Sequence, residues 1–304
     1  MSLRELGLLF LMALIWGGHF SIIKVTTGGV VDPVFYAAIR MTIVALLLAP
    51  LLRIHKGQMR YILLAGVCLG GLNYAFMFSG IYYSNASVSA ITMELVAPFT
   101  MILSVIFLKE RVGLLRVLSF AFAFTGIIII ITARQTDGMG PSPLLGSLLL
   151  ISAACIEAFG AISIKKVRGI KPFQLLAWFA LVGSCVLWTG TLVFETDQLA
   201  VFRERDIWPF ILALVYSVVL ASLVGQATYY WLLSRLPANL VACSTLLVAF
   251  LAVIFGVVFL SEPLSWQLFV GGIVTLTGTG VILLRAGNKT KAASQGIPGT
   301  GKTK

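Results

Sequence analysis

Charge is what this 304-residue chain lacks. Asp, Glu, Lys and Arg together make up 11% of it, where a soluble domain carries about 25%. Histidine is rarer still. His19 and His55 are the only two, and neither sits in an H-E-x-x-H pair, which excludes a zinc-protease site. A serine nucleophile would need His19 within reach of a serine on another helix, which sequence alone does not show; with so few catalytic parts the chain is not expected to be an enzyme. Cys68, Cys155, Cys185 and Cys243 lack metal-ligand spacing and read as small packing residues. No metal and no cofactor is expected.

What fills the chain is apolar: 59% hydrophobic residues and a mean hydropathy of +1.02. The apolar runs are continuous rather than alternating, which predicts helices and not a barrel. A bilayer core of roughly 30 Å takes about 20 residues per helix. Ten stretches meet that length: Leu6–Thr27, Val34–Leu52, Tyr61–Tyr83, Ala86–Leu108, Leu114–Ala133, Leu144–Ile164, Phe173–Phe194, Pro209–Leu233, Ala238–Leu260 and Ser265–Leu284. The first is long and has no small-residue cleavage site after it, so it is expected to stay as a span.

The formal charge of +11 invites a nucleic-acid reading. Its distribution argues for topology instead. With a cytoplasmic N-terminus, Arg4, Arg53, Lys56, Arg60, Lys109, Arg111, Arg116, Lys165, Lys166, Arg168, Lys171, Arg235, Arg285, Lys289, Lys291, Lys302 and Lys304 fall inside. Only Lys24, Arg134, Arg203 and Arg205 fall outside, and the longest outer loop is acidic, with Glu195, Asp197, Glu204 and Asp206. This bias predicts that both termini face the cytoplasm. The expected partners are the lipid bilayer and a small molecule, with no nucleic acid.

The chain also repeats itself. Shifted by 152 positions, 60–134 lies on 212–286 without a gap: Ala75 meets Ala227, Phe78 meets Tyr230, Tyr74 meets Gln226, and Thr125-Gly126 meets Thr277-Gly278. Ala86, Ala90 and Ala97 meet Ala238, Ala242 and Ala249, and Phe107-Leu108-Lys109-Glu110 meets Phe259-Leu260-Ser261-Glu262. The expected organisation is an all-α membrane protein: a five-helix repeat over 1–134, an external linker over 135–143, a second repeat over 144–286, and a disordered cytoplasmic tail over 287–304. Five spans per repeat force the second to insert upside down, a pattern of secondary transporters with a site at the repeat interface. One such double repeat closes a cavity alone, so a monomer is expected.

The tail carries Gly296-Ile297-Pro298-Gly299-Thr300-Gly301-Lys302-Thr303, which satisfies the phosphate-loop pattern. That loop needs a strand before it and a helix after it. The chain ends one residue later, so no ATP site is expected.

Ionisable groups inside spans cost roughly 2.5–3.5 kcal/mol each and face a partner or a cavity. Here they are His19, Arg40, Glu94 and Glu157. Arg40 and Glu94 both lie roughly 10–12 Å below the outer interface, so they form either a structural ion pair or a substrate contact. Glu157 has no cation at its depth; its repeat mate at a shift of 141 is Trp16, and Lys24 pairs with Lys165. A lone carboxylate there carries a proton, binds an ammonium, or is held by neighbouring hydroxyls. His19 is expected to hydrogen-bond in a wet cavity. Asn73, Tyr74, Met77, Phe78 and Tyr82 recur at helical spacing, opposite Gly225, Gln226, Tyr229 and Tyr230 in the second repeat. Lipid has no use for an amide, which points to a shared interior cavity or to helix–helix hydrogen bonds. The expected cavity wall is Trp16, His19, Phe20, Asn73, Tyr74, Met77, Phe78, Tyr82, Glu94, Glu157, Trp178, Gln226, Tyr229 and Tyr230. Pro98 is expected to bend the fourth span.

Three segments carry a resemblance: Leu11-Met12-Ala13-Leu14-Ile15-Trp16-Gly17-Gly18, Asp32-Pro33-Val34-Phe35-Tyr36-Ala37-Ala38-Ile39-Arg40, and Leu95-Val96-Ala97-Pro98-Phe99 leading into Phe107-Leu108-Lys109-Glu110. With the double repeat over Leu6 to Arg285, the chain resembles the EamA-type drug/metabolite transporter superfamily, and within it bacterial aromatic amino-acid exporters. The second repeat departs from the pattern, with Phe250 for Pro98 and Trp178 or Phe179 for Arg40. Glu157-Ala158-Phe159-Gly160-Ala161-Ile162-Ser163-Ile164-Lys165 is similar to the first helix of small multidrug-resistance transporters, in which the glutamate binds protons and cationic drugs. The resemblance implies export of small amphipathic metabolites, amino acids with aromatic or apolar side chains first, by alternating access. The alternative is proton-coupled export of lipophilic cations through Glu157. Nucleotide sugars are disfavoured because no basic cluster occupies the middle of the spans.

Overall fold

The computed structural model describes residues 2–28, 31–109, 114–132, 141–196, 198, 207–236 and 238–294. Most of the 135–143 linker, Arg111, Asp197, Glu204, Asp206 and the phosphate-loop pattern at 296–303 lie outside them. The described residues are helical, without strands. In chain order we label the helical rods α1 (Leu3–Thr27), α2 (Pro33–Leu48), α3 (Met59–Tyr83), α4 (Ala86–Met93 and Val96–Leu108), α5 (Leu114–Ile131), α6 (Pro143–Ile164), α7 (Pro172–Phe194), α8 (Trp208–Leu233), α9 (Ala238–Leu260) and α10 (Trp266–Ser294). Seven are long and apolar enough to cross a membrane, and shorter apolar stretches lie at Val117–Ile131, Ser244–Leu260 and Trp266–Val281. The helix of α10 is described as far as Ser294.

Local chemistry sets the boundaries. Ser2 and Glu5 form a reciprocal capping box at the start of α1, with Ser2 N–H donating to Glu5 at 2.7 Å and Glu5 N–H donating to Ser2 at 3.3 Å. Pro33, Pro143 and Pro172 each open a helix, where a missing N–H costs nothing. Asn85 caps α4 by accepting from Val88 N–H at 2.9 Å. Pro98 removes the donor that Glu94 C=O would use and crowds that carbonyl, and α4 breaks at Glu94–Leu95 as expected for a bend there.

Irregularities fall at matching places in the two halves of the chain. The wider π-helical turn occupies Gly66–Leu72 in α3 and Tyr216–Val224 in α8, and the shift of 152 carries 66–72 onto 218–224. Lys109 and Ser261, paired by the same shift, both take a left-handed backbone with φ 53 at the ends of α4 and α9. α5 crosses α10 through a matched pair of glycine contacts. A Cβ at Gly126 would strike Gly271 and Thr275, and one at Gly278 would strike Ser119 and Ala123. Adding 152 to Gly126 and subtracting 152 from Gly271 and Thr275 gives the second set, so this crossing maps onto itself when the halves are exchanged.

Leu46, Leu192, Phe194, Val258 and Phe259 point outward, as an apolar solvent requires of a bundle with so little charge. Trp208 and Trp266, at the starts of α8 and α10, are also exposed, as suits indoles that anchor helix ends at a lipid–water interface.

Candidate functional site

A cavity of about 740 Å³ lies between the two halves, walled by α1–α4 and α6–α9. Among the described residues α5 and α10 contribute nothing to it. It reaches Ser104 and the exposed Lys165 at the ends of α4 and α6, where Lys165 Nζ donates to Ser104 Oγ at 3.2 Å. This is the end that carries the N-terminus, since Arg4 stacks on Trp231 near the end of α8 at 5.4 Å. The cavity is therefore open towards that end.

The other end is shut by polar contacts, one set between the halves and one within the first half. Glu262, 5% exposed, accepts from Ala86 N–H at 2.6 Å, Ser87 N–H at 3.0 Å and Ser87 Oγ–H at 2.5 Å. A carboxylate at a helix N-terminus satisfies orphan donors and meets the positive end of the dipole. Lys24, at the end of α1, donates to the carbonyls of Tyr82 at 2.8 Å and Ser84 at 2.5 Å. A recess of about 20 Å³ remains beneath, lined by Ser84, Asn85 and Pro263 among others; that is room for about one water.

The wall is polar where α3 and α8 face each other. Asn73 Nδ2 donates to Ala153 C=O and to Glu157 Oε2, both at 3.1 Å, and so ties the carboxylate of α6 to α3. Glu94, released at the break in α4, accepts from Thr245 Oγ1 of α9 at 3.2 Å. In α8 the π turn offers Ser217, Ser222 and the carbonyl of Ala221. His19 Nε2 lies 3.0 Å from Ser217 Oγ, and Tyr36 OH, which donates to Ala213 C=O at 2.9 Å, lies 2.5 Å from the same hydroxyl. Trp16 Nε1–H donates to Ala221 C=O at 3.1 Å. Arg40 donates to Ser222 Oγ from Nε at 3.2 Å and from Nη2 at 3.1 Å. Such π turns break the regular ladder and recur at functional sites.

The aromatic part of the wall is Trp16, Phe20, Tyr74, Phe179, Tyr229 and Tyr230. Trp16 and Tyr229 pack with centroids 5.6 Å apart, as do Tyr229 and Tyr230. The arrangement offers flat apolar faces beside carboxylates, amides and a guanidinium, inside a space within the ~300–1,000 Å³ range of small-molecule sites.

One family model, the EamA-like transporter family, matches the chain twice, over residues 3–132 and 144–284. The chain belongs to that family. A probable amino-acid metabolite efflux pump of Escherichia coli (strain K12) is 26% identical over 284 residues, covering 91% of this chain and 94% of the relative. A protein of the same name from Salmonella typhimurium matches with the same identity and coverage. An uncharacterized transporter of Bacillus subtilis is 26% identical over 302 residues, 97% of this chain and 96% of its own. A solved crystal structure aligns with a TM-score of 0.61 at 18% identity, over 96% of this chain and all of the other, which shows a shared fold. This EamA-family chain is a multi-pass membrane transporter.

Of the residues expected at the cavity, Trp16, His19, Phe20, Asn73, Tyr74, Met77, Glu94, Glu157, Gln226, Tyr229 and Tyr230 line it. Phe78, Tyr82 and Trp178 do not. Phe78 is fully buried behind the wall, against Tyr36, Tyr74 and His19. Tyr82 packs edge-on against Tyr83 at the closed end. Trp178 turns away and donates Nε1–H to Arg53 C=O at 3.0 Å. Its neighbour Phe179, about 100° round the helix, faces the cavity instead. Of the two alternatives for Arg40 and Glu94, the ion pair is not formed among the described residues: Arg40 binds Ser222, and Glu94 takes Thr245. Matched depth says nothing about which way two helices turn their faces. Thr245, Ser217 and Ser222 went unread, and Phe179 was read only as an alternative to Trp178 at the place of Arg40; the only signal for Ser222 was its position opposite Gly70 in the repeat.

Proposed function

We propose that this transporter exports small amphipathic amino acids, those with aromatic or apolar side chains, from the cytoplasm across the bacterial inner membrane. Its ten spans form two inverted five-helix repeats with both termini cytoplasmic, and one monomer encloses one site. The observation that carries this reading is the cavity itself. It sits between the halves, joins stacked aromatics to buried polar groups, and is open at one end and latched at the other. With the charge bias placing the N-terminus inside, the open end faces the cytoplasm, the loading state of an exporter. Rocking of the halves then exposes the same site on the other side.

The test is uptake into liposomes of a panel of amino acids and lipophilic cations, with and without a proton gradient. Saturable movement of phenylalanine, tryptophan or leucine supports the reading; movement of cations alone sinks it. A second reading, proton-coupled export of lipophilic cations, is favoured by the two carboxylates, Glu94 and Glu157, on the cavity wall. It requires that cation transport follow the proton gradient and ignore zwitterions.

A further inference from the structure

We propose that Arg40 is the carboxylate-binding residue of the cavity and that Glu157 receives the ammonium, so that the site recognises both charges of an α-amino acid. The inference rests on the amino-acid reading above and assigns the groups that would select that class. Arg40 lines the cavity, is 4% exposed, and directs both Nε and Nη2 at the single hydroxyl of Ser222. Its Nη1 is buried with no hydrogen-bond partner. Among the described residues no carboxylate pairs with it. A buried guanidinium inside a membrane protein is costly unless an anion meets it, and its planar fork fits a carboxylate. Stacking over Tyr74 at 4.8 Å and Phe78 at 5.7 Å fixes its plane without neutralising it.

The rest of the fold does not need a charge at that position. Pro33 and Pro172 open α2 and α7, and the shift of 139 that pairs them also pairs Arg40 with Phe179. The shift of 152 pairs Ser222 with Gly70. The mirror of the Arg40–Ser222 contact is therefore Phe179 against Gly70, where a Cβ on the glycine would strike the Phe179 carbonyl. One half closes this crossing backbone to backbone; the other holds it apart with a guanidinium that borders the cavity. Glu157 presents the complementary charge. It is tied to Asn73 at 3.1 Å, and the next residue along α3 is Tyr74, which carries Arg40 on its ring. Among the described residues no cation pairs with Glu157. Two opposite charges, each without a counter-charge, flank one helical step.

The test measures binding and transport of L-phenylalanine, phenethylamine, which lacks the carboxylate, and 3-phenylpropionate, which lacks the ammonium. Wild-type protein is expected to prefer phenylalanine to each by roughly 10–100-fold, the range of a hydrogen-bonded charge. Arg40→Gln is expected to remove the preference over phenethylamine while keeping that over 3-phenylpropionate; Glu157→Gln should do the reverse. Arg40→Lys should recover part of the first. Transport of phenylalanine with no preference over phenethylamine in the wild type overturns the Arg40 assignment and leaves the function standing. That comparison needs no variant to fold. A wild type that binds none of the amino acids overturns the function itself.

Discussion

Glu157 separates two chemistries at a single residue. As an ammonium ligand it contributes a charged hydrogen bond of roughly 1.5–3 kcal/mol, so Glu157→Gln should weaken phenylalanine transport about tenfold or more with or without a proton gradient. As a proton carrier its loss should instead abolish gradient dependence and leave exchange intact. Unchanged transport under every gradient would remove Glu157 from both roles. Trp178→Leu is the matched control, because that indole lies outside the cavity and bonds Arg53 C=O; transport within about twofold of wild type is expected. At this scale sequence was a good guide to which residues avoid lipid. Asn73, Glu94, Glu157 and Gln226 all reach the cavity because a polar group at that depth has nowhere else to go. It was a poor guide to partners. Thr245 and Ser222 are small hydroxyls of a kind that recurs throughout the spans, and only the relative rotation of helices decides which of them meets Glu94 or Arg40.

The helices themselves were legible because length and apolarity define them and proline and Asn85 mark their starts. Their irregularities were not. Nothing in Gly66–Leu72 or Tyr216–Val224 announces a π turn, which arises from packing against neighbouring rods. The consequence at α3 is testable. Gly70 and Gly183 let α3 and α7 touch backbone to backbone, so Gly70→Ala should lower the denaturation midpoint in detergent by an overpacking cost of about 1–3 kcal/mol or more. Gly190→Ala, whose new methyl would meet only Val34 Cγ1 at 3.4 Å, should leave it unchanged. Glu195, just past α7, gives this level a pH signature. It accepts from Val34 N–H at 2.7 Å and Phe35 N–H at 2.8 Å and so anchors α2 to α7. Burial raises its carboxyl above the ordinary range, with Thr191 and the two amides opposing. A raised pKa means the folded protein binds this proton more tightly than the unfolded chain. Stability from this group should then fall as pH rises from the ordinary carboxylate value to the raised one, and level off above it. Glu195→Gln should flatten that segment of a stability–pH curve.

For the whole molecule, symmetry predicts which contacts move. If the two states interchange the roles of the halves, a contact that maps onto itself under that exchange can persist in both. The α5–α10 crossing is of this kind, with Gly126 on Gly271 and Thr275 mirrored by Gly278 on Ser119 and Ala123. The contact of Glu262 with the start of α4 is not; its mirror image lies at the opposite end of the bundle, so it belongs to one state only. A disulfide joining Ala123→Cys to Thr275→Cys should therefore leave transport near wild type, because Thr275 Oγ1 and Ala123 C=O already lie 3.3 Å apart in a static crossing. A disulfide joining Ser87→Cys to Gly256→Cys, which would displace the Glu262 carboxylate and clamp the same end covalently, should stop transport, while still admitting phenylalanine from the open end. Glu262→Gln, which keeps the shape but weakens three charge-assisted bonds, should increase labelling of a cysteine at the closed end. Transport that survives the Ser87–Gly256 disulfide would show that this end never opens, and alternating access by exchange of the two halves would fall with it.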